Sequence, residues 1–157
     1  MTIANQGKPA RVLMFVASIM LGTSLCVLPA SAQEHKGVNL SSARGLPFSD
    51  GIVAGNTLYV AGQQGTDASD KLVAGGIGPE TSACLENIQK VLKAAGFQLK
   101  DVVSVTVYLV DIHEFPDMNK VYKSVLPDPK PARATVQVAA LVNGARIEIS
   151  AIAVKGK

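Results

Sequence analysis

The sequence is poor in the residues that most often carry metal, redox or disulfide chemistry. It has no tryptophan, two cysteines and two histidines. Cys26 lies in an apolar N-terminal segment, so a chain without that segment keeps only Cys84 and cannot form an intrachain disulfide. Cys84 falls in a helical pattern beside Leu85, which favours a buried, inert thiol over a catalytic one. His35 and His113 lack the spacing of metal ligands, and we expect neither a metal nor a cofactor.

The sequence also lacks a glycine-rich phosphate-binding loop and a G-x-S-x-G nucleophile motif. Its formal net charge is +3, but residues 1–32 hold two of the 15 basic residues and none of the 12 acidic ones, so their removal lowers the charge to +1. A nearly neutral domain without a stripe of lysine and arginine offers no electrostatic footprint for nucleic acid. We therefore expect a small-molecule partner and no nucleic acid.

The N-terminus has the pattern of a secretory signal. Lys8 and Arg11 precede an uncharged stretch, residues 12–33, which contains an apolar core followed by Ala30-Ser31-Ala32. We expect cleavage after Ala32, which would leave a periplasmic or secreted protein without a membrane contact. The alternative is an uncleaved anchor, because the uncharged stretch is just long enough to span a bilayer.

Residues 33–157 have the size of a single domain. Removing 32 of the 157 residues leaves 125, which is enough for one hydrophobic core and too few for two domains. The polar residues 33–45 predict a flexible lead-in, and residues 46–157 predict the folded domain.

Hydrophobic periodicity predicts the element order β-β-α-β-α-β-β. Two strands flank Gly55-Asn56, a pair that is typical of a tight hairpin. Helical spacing begins at Pro79 and stops at Gly96, and strict alternation then runs over residues 103–109. The remaining expected elements are a helix over 115–125 and strands over 134–141 and 146–154. This order predicts an α+β domain with both helices on one face of the sheet and self-association through the other face.

Arg133 and Glu148 are the residues most suited to chemistry. Arginine binds a carboxylate through a planar, bidentate fork, and glutamate can accept and return a proton. Their two apolar runs follow each other along the chain, which indicates neighbouring strands. We expect both side chains to lie on the same side of the sheet and to form a small hydrolytic site for a carboxylate-bearing metabolite.

Each of these residues also has a simpler interpretation. Arg133 could be a protective charge at a strand edge. Glu148 lies between two isoleucines and could belong to an ordinary cross-strand ion pair. Asn119 and Tyr122 on a helix are commonly capping, packing or interface residues.

Six short motifs in this order resemble the Rid proteins, the reactive intermediate deaminases that were once catalogued as ribonucleases. They lie at residues 56–63, 86–88, 94–96, 119–122, 131–133 and 147–153. The resemblance extends from about residue 46 to residue 154, and its motifs are specific together rather than singly.

The resemblance implies a chorismate-mutase-like fold, assembled as a homotrimer with clefts between subunits. It also implies hydrolysis of enamines and imines such as 2-aminoacrylate to 2-keto acids and ammonia. Arg133 matches the residue that binds the substrate carboxylate, and Glu148 matches the acid that positions water. The remaining matches, Gly62, Thr135 and Asn119, imply positions that line the same cleft.

Three positions depart from the family pattern. Phe48 replaces a tyrosine at the cleft mouth, Asp50 replaces a glutamine, and Thr135 replaces a cysteine. The loss of a hydroxyl at Phe48 would reshape the substrate pocket without removing Arg133 or Glu148. Two further functions therefore stay open, a non-catalytic module that binds small carboxylates and an endoribonuclease.

Overall fold

The computed structural model describes residues 34–40, 45 and 47–156. The predicted signal segment lies outside them. Within them, the chain forms strands β1 His35–Val38, β2 Gly51–Ala54, β3 Thr57–Gln64, β4 Val102–Leu109, β5 Ala132–Gln137 and β6 Ile147–Val154, and helices α1 Ile77–Ala94 and α2 Phe115–Val125. From β2 onward this is the predicted order β-β-α-β-α-β-β, so the α+β fold is confirmed. No helix among the described residues combines the length and the apolar character needed to cross a bilayer.

The six strands form one mixed sheet in the order β1-β2-β3-β6-β4-β5. All neighbouring strands are antiparallel except β4 and β5, which pair in parallel. The prediction that the last two strands are neighbours is therefore wrong, because β4 lies between β5 and β6. A parallel pair needs a long crossover, and α2 provides it between β4 and β5.

Glycine residues with positive φ end several of these elements. Gly55, with a φ of 60°, forms the predicted hairpin between β2 and β3. At the end of α1, Gly96 has a φ of 78°, its N–H bonds to Lys93 O at 3.0 Å, and the N–H of Phe97 bonds to Leu92 O at 2.7 Å. These two bonds form a Schellman cap, which ends the helix where the sequence predicts.

Both helices pack on one face of the sheet, and the hydrophobic core lies between the helices and this face. On β6 the buried residues are Ile147, Ile149, Ala151 and Ala153, which alternate with half-buried ones. On β4 the alternation is broken at Val103, which is 47% exposed because the register with β6 shifts between Val102 and Ser104. The bulge turns Val103 outward and places Val102 in the core.

Among the described residues no helix covers the opposite face of the sheet, which exposes large apolar side chains. Ile52, Tyr59 and Val136 are 36%, 50% and 44% exposed. Ile52 pairs with Tyr59, and Val136 pairs with Tyr108, so these side chains stand on the same face. This surface is the one expected to support self-association.

Part of the segment expected to be a flexible lead-in is a strand. β1 pairs with β2 from His35 opposite Ala54 to Val38 opposite Gly51. Only Val38 among its four residues is buried. Backbone hydrogen bonds hold β1 in place, so hydrophobic periodicity could not reveal it.

Candidate active site

Glu148 lines a cavity of about 600 Å³ near the ends of β3 and β6. The residues that line it are Phe48, Asp50, Ala61, Gly62, Gln63, Gln64, Thr66, Asp70, Val142, Asn143 and Glu148. Three residues predicted for the site, Phe48, Gly62 and Glu148, are therefore brought together here. The other three, Asn119, Arg133 and Thr135, lie elsewhere.

Two neighbours determine where the Glu148 carboxylate sits. Gln64 Nε2 donates a hydrogen bond to Glu148 Oε2 at 3.2 Å and also contacts Val142 O at 3.1 Å. Gly62 passes so close to the carboxylate that a Cβ atom at this position would overlap Glu148 Oε1. A glycine is therefore required at position 62 for Glu148 to keep its orientation. Sequence reasoning missed Gln64, whose position at the end of β3, opposite Glu148 in the register, is visible only in the structure.

The cavity has an acidic lining. Besides Glu148 it contains Asp50 and Asp70, and none of its described lining residues is a lysine or an arginine. Asp50 is only 7% exposed, and its Oδ2 accepts a hydrogen bond from Leu40 N at 2.8 Å, which ties the end of β1 to the cavity. A carboxylate such as that of Glu148 favours a cationic group nearby and repels an anion.

Arg133 is held against two aromatic rings of α2. Its Cζ atom lies 4.4 Å from the centroid of the Tyr122 ring and 5.4 Å from that of Phe115. Cation–π contacts at these distances hold the guanidinium against the rings and restrict the orientation of its plane. Arg133 is thus a preoriented cation on the helix side of β5.

Arg133 and Glu148 lie on opposite faces of the sheet within one chain. Arg133 pairs with Val105 of β4, whose side chain is buried under the helices, whereas Glu148 pairs with Tyr108 on the helix-free face. Side chains alternate along a strand, so residues opposite Val105 and Tyr108 point to different sides. The expectation that one chain brings both to the same side of the sheet is therefore wrong.

The other two predicted residues lie on the side of Arg133. Thr135 pairs with Val107 and shares the face of Arg133, and its Oγ1 is buried without a hydrogen-bond partner among the described residues. Asn119 is half-buried on α2, four residues after Phe115 and three before Tyr122. That spacing places Asn119 on the helix surface that carries the two rings.

Tyr122 is a neighbour of Arg133 that the sequence indicated only as a capping, packing or interface residue. Burial raises the pKa of its hydroxyl, and the positive charge of Arg133 opposes part of this rise. The hydroxyl therefore stays neutral at physiological pH. Only the ring contact with Arg133 distinguishes Tyr122 from an ordinary core residue, and this contact depends on tertiary packing.

Cys84 is buried, as predicted, and its Sγ donates to Gln63 O at 3.2 Å. Burial raises the pKa of this thiol well above its usual range, and the carboxylates of Glu80 and Glu148 raise it further.

The full chain carrying Cys26→Ser has Cys84 as its single thiol. Because the thiolate is the reactive form, we expect this protein to resist a thiol-specific disulfide reagent at pH 8 when folded and to react fully in urea. Rapid labelling of the native protein would contradict this assignment.

No group of three or more histidine, cysteine, aspartate or glutamate residues in the described part of the chain could hold a metal ion.

The chain is similar to known proteins in both sequence and structure. The family model described as Endoribonuclease L-PSP matches residues 41–155, which include β2 to β6 and both helices. A 2-iminobutanoate/2-iminopropanoate deaminase of Bos taurus is 48% identical over 111 residues, covering 70% of this chain and 81% of the bovine protein. A RutC family protein of Pyrococcus horikoshii is 46% identical over 110 residues, covering 69% and 87% of the two chains. The crystal structure of RidA from an Antarctic Psychrobacter is 37% identical with a TM-score of 0.70, covering 79% of this chain and 100% of that one.

Proposed function

Since this chain belongs to the endoribonuclease L-PSP family, also called the Rid family, we propose that it hydrolyses 2-imino acids and their enamine tautomers. The products are a 2-keto acid and ammonia, and 2-aminoacrylate is a representative substrate. The observation that carries the proposal is the 48% identity to a relative named as a 2-iminobutanoate/2-iminopropanoate deaminase.

The proposed reaction needs one group that binds the substrate carboxylate and a second group that transfers protons. Water adds to the carbon of the protonated C=N bond, the C–N bond then breaks, and the carbonyl forms as ammonia leaves. Arg133 binds the substrate carboxylate through its fork. Glu148 takes a proton from the attacking water and returns it to the departing nitrogen, so it ends in its starting state. The remaining hydroxyl proton is lost as the carbonyl forms and leaves with ammonia as ammonium.

The acidic cavity suits the cationic nitrogen of this substrate. A protonated imine is the electrophile that water attacks, and Asp50, Asp70 and Glu148 surround the cavity in which we place it. Negative charges near the iminium favour its protonated form. Phe48, which is 57% exposed, forms an apolar part of the cavity rim, and the cavity thus has no tyrosine hydroxyl at that position.

We place each site between two subunits of a homotrimer. Arg133 and Glu148 must contact the same small molecule, and one chain holds them on opposite faces of its sheet. A site that uses Arg133 of one subunit and Glu148 of its neighbour removes this conflict. The apolar residues of the helix-free face, Ile52, Tyr59 and Val136, supply a surface that a neighbouring subunit would bury.

The first experiment measures catalysis directly. An amino-acid oxidase generates imino acids in situ, semicarbazide competes for them, and the protein is expected to accelerate keto-acid release and to lower semicarbazone formation. Thermal stabilisation by a keto acid without acceleration would instead support a non-catalytic carboxylate-binding module. Salt-sensitive RNA cleavage that is lost in Glu148→Gln would support an endoribonuclease.

Mixing two inactive variants tests whether a site spans two subunits. Arg133→Ala and Glu148→Gln chains are refolded together in equal amounts, and each variant is refolded alone as a control. An intact site needs Arg133 from a Glu148→Gln chain and Glu148 from an adjacent Arg133→Ala chain. Random assembly of equal amounts should therefore make about one quarter of the sites intact. Recovery of activity only in the mixture would support the shared site, and no recovery would exclude it.

The proposed location is the periplasm or the cell exterior, after cleavage behind Ala32. The pattern of residues 1–32 supports this proposal. N-terminal sequencing of the exported protein should begin at Gln33, and an N-terminus that retains the apolar segment would instead indicate an anchored protein.

A further inference from the structure

Two buried hydroxyl groups lie in the layer that holds Arg133 and have no hydrogen-bond partner among the described residues. They are Tyr122 Oη and Thr135 Oγ1. A third such atom, Glu114 Oε2, belongs to a carboxylate that already pairs with Arg146 through its other oxygen, at 2.6 Å. Buried polar atoms nearly always have a partner, so the two hydroxyls require an explanation.

Both hydroxyls belong to residues on the same side of the sheet as Arg133. The Tyr122 ring lies under it, with Cζ 4.4 Å from the ring centroid, and Tyr122 as a whole is only 5% exposed. Thr135 follows Arg133 by two residues on the same strand and therefore extends to the same face. Because solvent does not reach either oxygen, neither is a direct contact for a diffusing substrate.

The Arg133 side chain can provide hydrogen-bond donors for these two hydroxyl oxygens. A guanidinium has five N–H donors and no acceptor, and a bidentate carboxylate uses two of the five. The remaining donors need acceptor oxygens on the protein side. A hydroxyl oxygen can accept such a bond. Burial raises the pKa of Tyr122, and the charge of Arg133 and its hydrogen-bonding approach to the hydroxyl offset part of this rise, so the guanidinium lies near Tyr122 Oη.

We propose that Tyr122 and Thr135 are positioning residues for Arg133. Their hydroxyl oxygens accept hydrogen bonds from the Arg133 N–H groups that the substrate does not use, and the Tyr122 ring sets the plane of the fork. This inference rests on the proposed function, because it assumes that Arg133 binds the carboxylate of a 2-imino or 2-keto acid. It assigns to Tyr122 a role in substrate affinity rather than in proton transfer.

The test separates substrate affinity from turnover and from folding. Tyr122→Phe keeps the ring and removes the hydroxyl, and Thr135→Val removes the second one with little change of shape. We expect each variant to raise KM by about tenfold with kcat unchanged, since the charged Arg133 loses a hydrogen-bond acceptor. The melting temperature should stay the same or rise, because each substitution removes a buried hydroxyl without a partner in the free protein.

Two further measurements keep the inference separate from the proposed function. The dissociation constant of 2-oxobutanoate should increase by the same factor as KM, and Ser124→Ala, which removes an exposed hydroxyl from the same helix, should change neither. Unchanged KM and unchanged 2-oxobutanoate affinity in both variants of an active enzyme would overturn the inference alone. An unaltered protein that neither hydrolyses imines nor binds 2-oxobutanoate would overturn both proposals.

Discussion

Arg133→Ala is expected to lower kcat/KM for imine hydrolysis by about 100-fold or more, because hydrogen bonds to a charged group contribute about 1.5–3 kcal/mol each. The guanidinium is the only cation that we assign to the substrate carboxylate, and the cavity around Glu148 is acidic. Without Arg133 the substrate carboxylate would lose the cation that we assign to it and would lie near the carboxylate of Glu148. Keto-acid release from freshly generated imino acids measures the effect.

Two control variants make this prediction specific. Arg133→Lys keeps the charge and loses the planar fork, so we expect its kcat/KM to lie between those of the unaltered protein and Arg133→Ala. Arg146→Ala removes another arginine, which is half-exposed and paired with Glu114, and should leave turnover unchanged. Full activity in Arg133→Ala would remove Arg133 from the mechanism.

Glu148→Gln is expected to lower kcat by about 10²- to 10⁴-fold, the range typical of a lost general acid or base. The amide has nearly the same shape as the carboxylate and can still accept the hydrogen bond from Gln64 Nε2. Substrate affinity should therefore change little, since Arg133 still binds the carboxylate. Single-turnover hydrolysis and 2-oxobutanoate binding distinguish the two effects.

The matched control is Glu86→Gln on the exposed surface of α1, where Glu86 accepts a hydrogen bond from Ser82. It removes the same charge without touching the cavity and should be as active as the unaltered protein. A comparable loss of kcat in both variants would show that net charge, rather than Glu148, controls the reaction.

Local chemistry explains why most of the fold could be predicted from the sequence. The hairpin between β2 and β3 depends on Gly55, and the end of α1 depends on Gly96, two residues that adopt positive φ at little cost. The second helix has the predicted bounds, Phe115–Val125, because Pro116 fits its first turn and its apolar residues recur at helical spacing.

The partners of each strand could not be predicted, because strand order depends on contacts distant in sequence. Successive strands are adjacent in most sheets, which favoured a pairing of β5 with β6. Instead, α2 carries the chain across to the outer edge beside β4, and β6 returns to the centre. The same limitation hid β1, whose sequence gives no hydrophobic signal.

The candidate site, like the fold, could be predicted only in part from the sequence. Arg133, Glu148 and Gly62 could be identified from their residue types and their motifs. Their spatial relation depends on register, and β3 and β4 each contain a register shift against β6, between Val60 and Gln63 and between Val102 and Ser104. Which face a side chain occupies changes with a shift of one residue, so the opposite placement of Arg133 and Glu148 required the structure.

The position of β1 has a consequence for the order of export and folding. β1 begins at His35, so only Gln33 and Glu34, about 7 Å of extended chain, would separate it from a cleavage site behind Ala32. A peptidase must bind several extended residues on both sides of the bond that it cuts. The proposed cleavage is therefore expected to precede the docking of β1 on the sheet, and early docking of this strand would delay that cleavage.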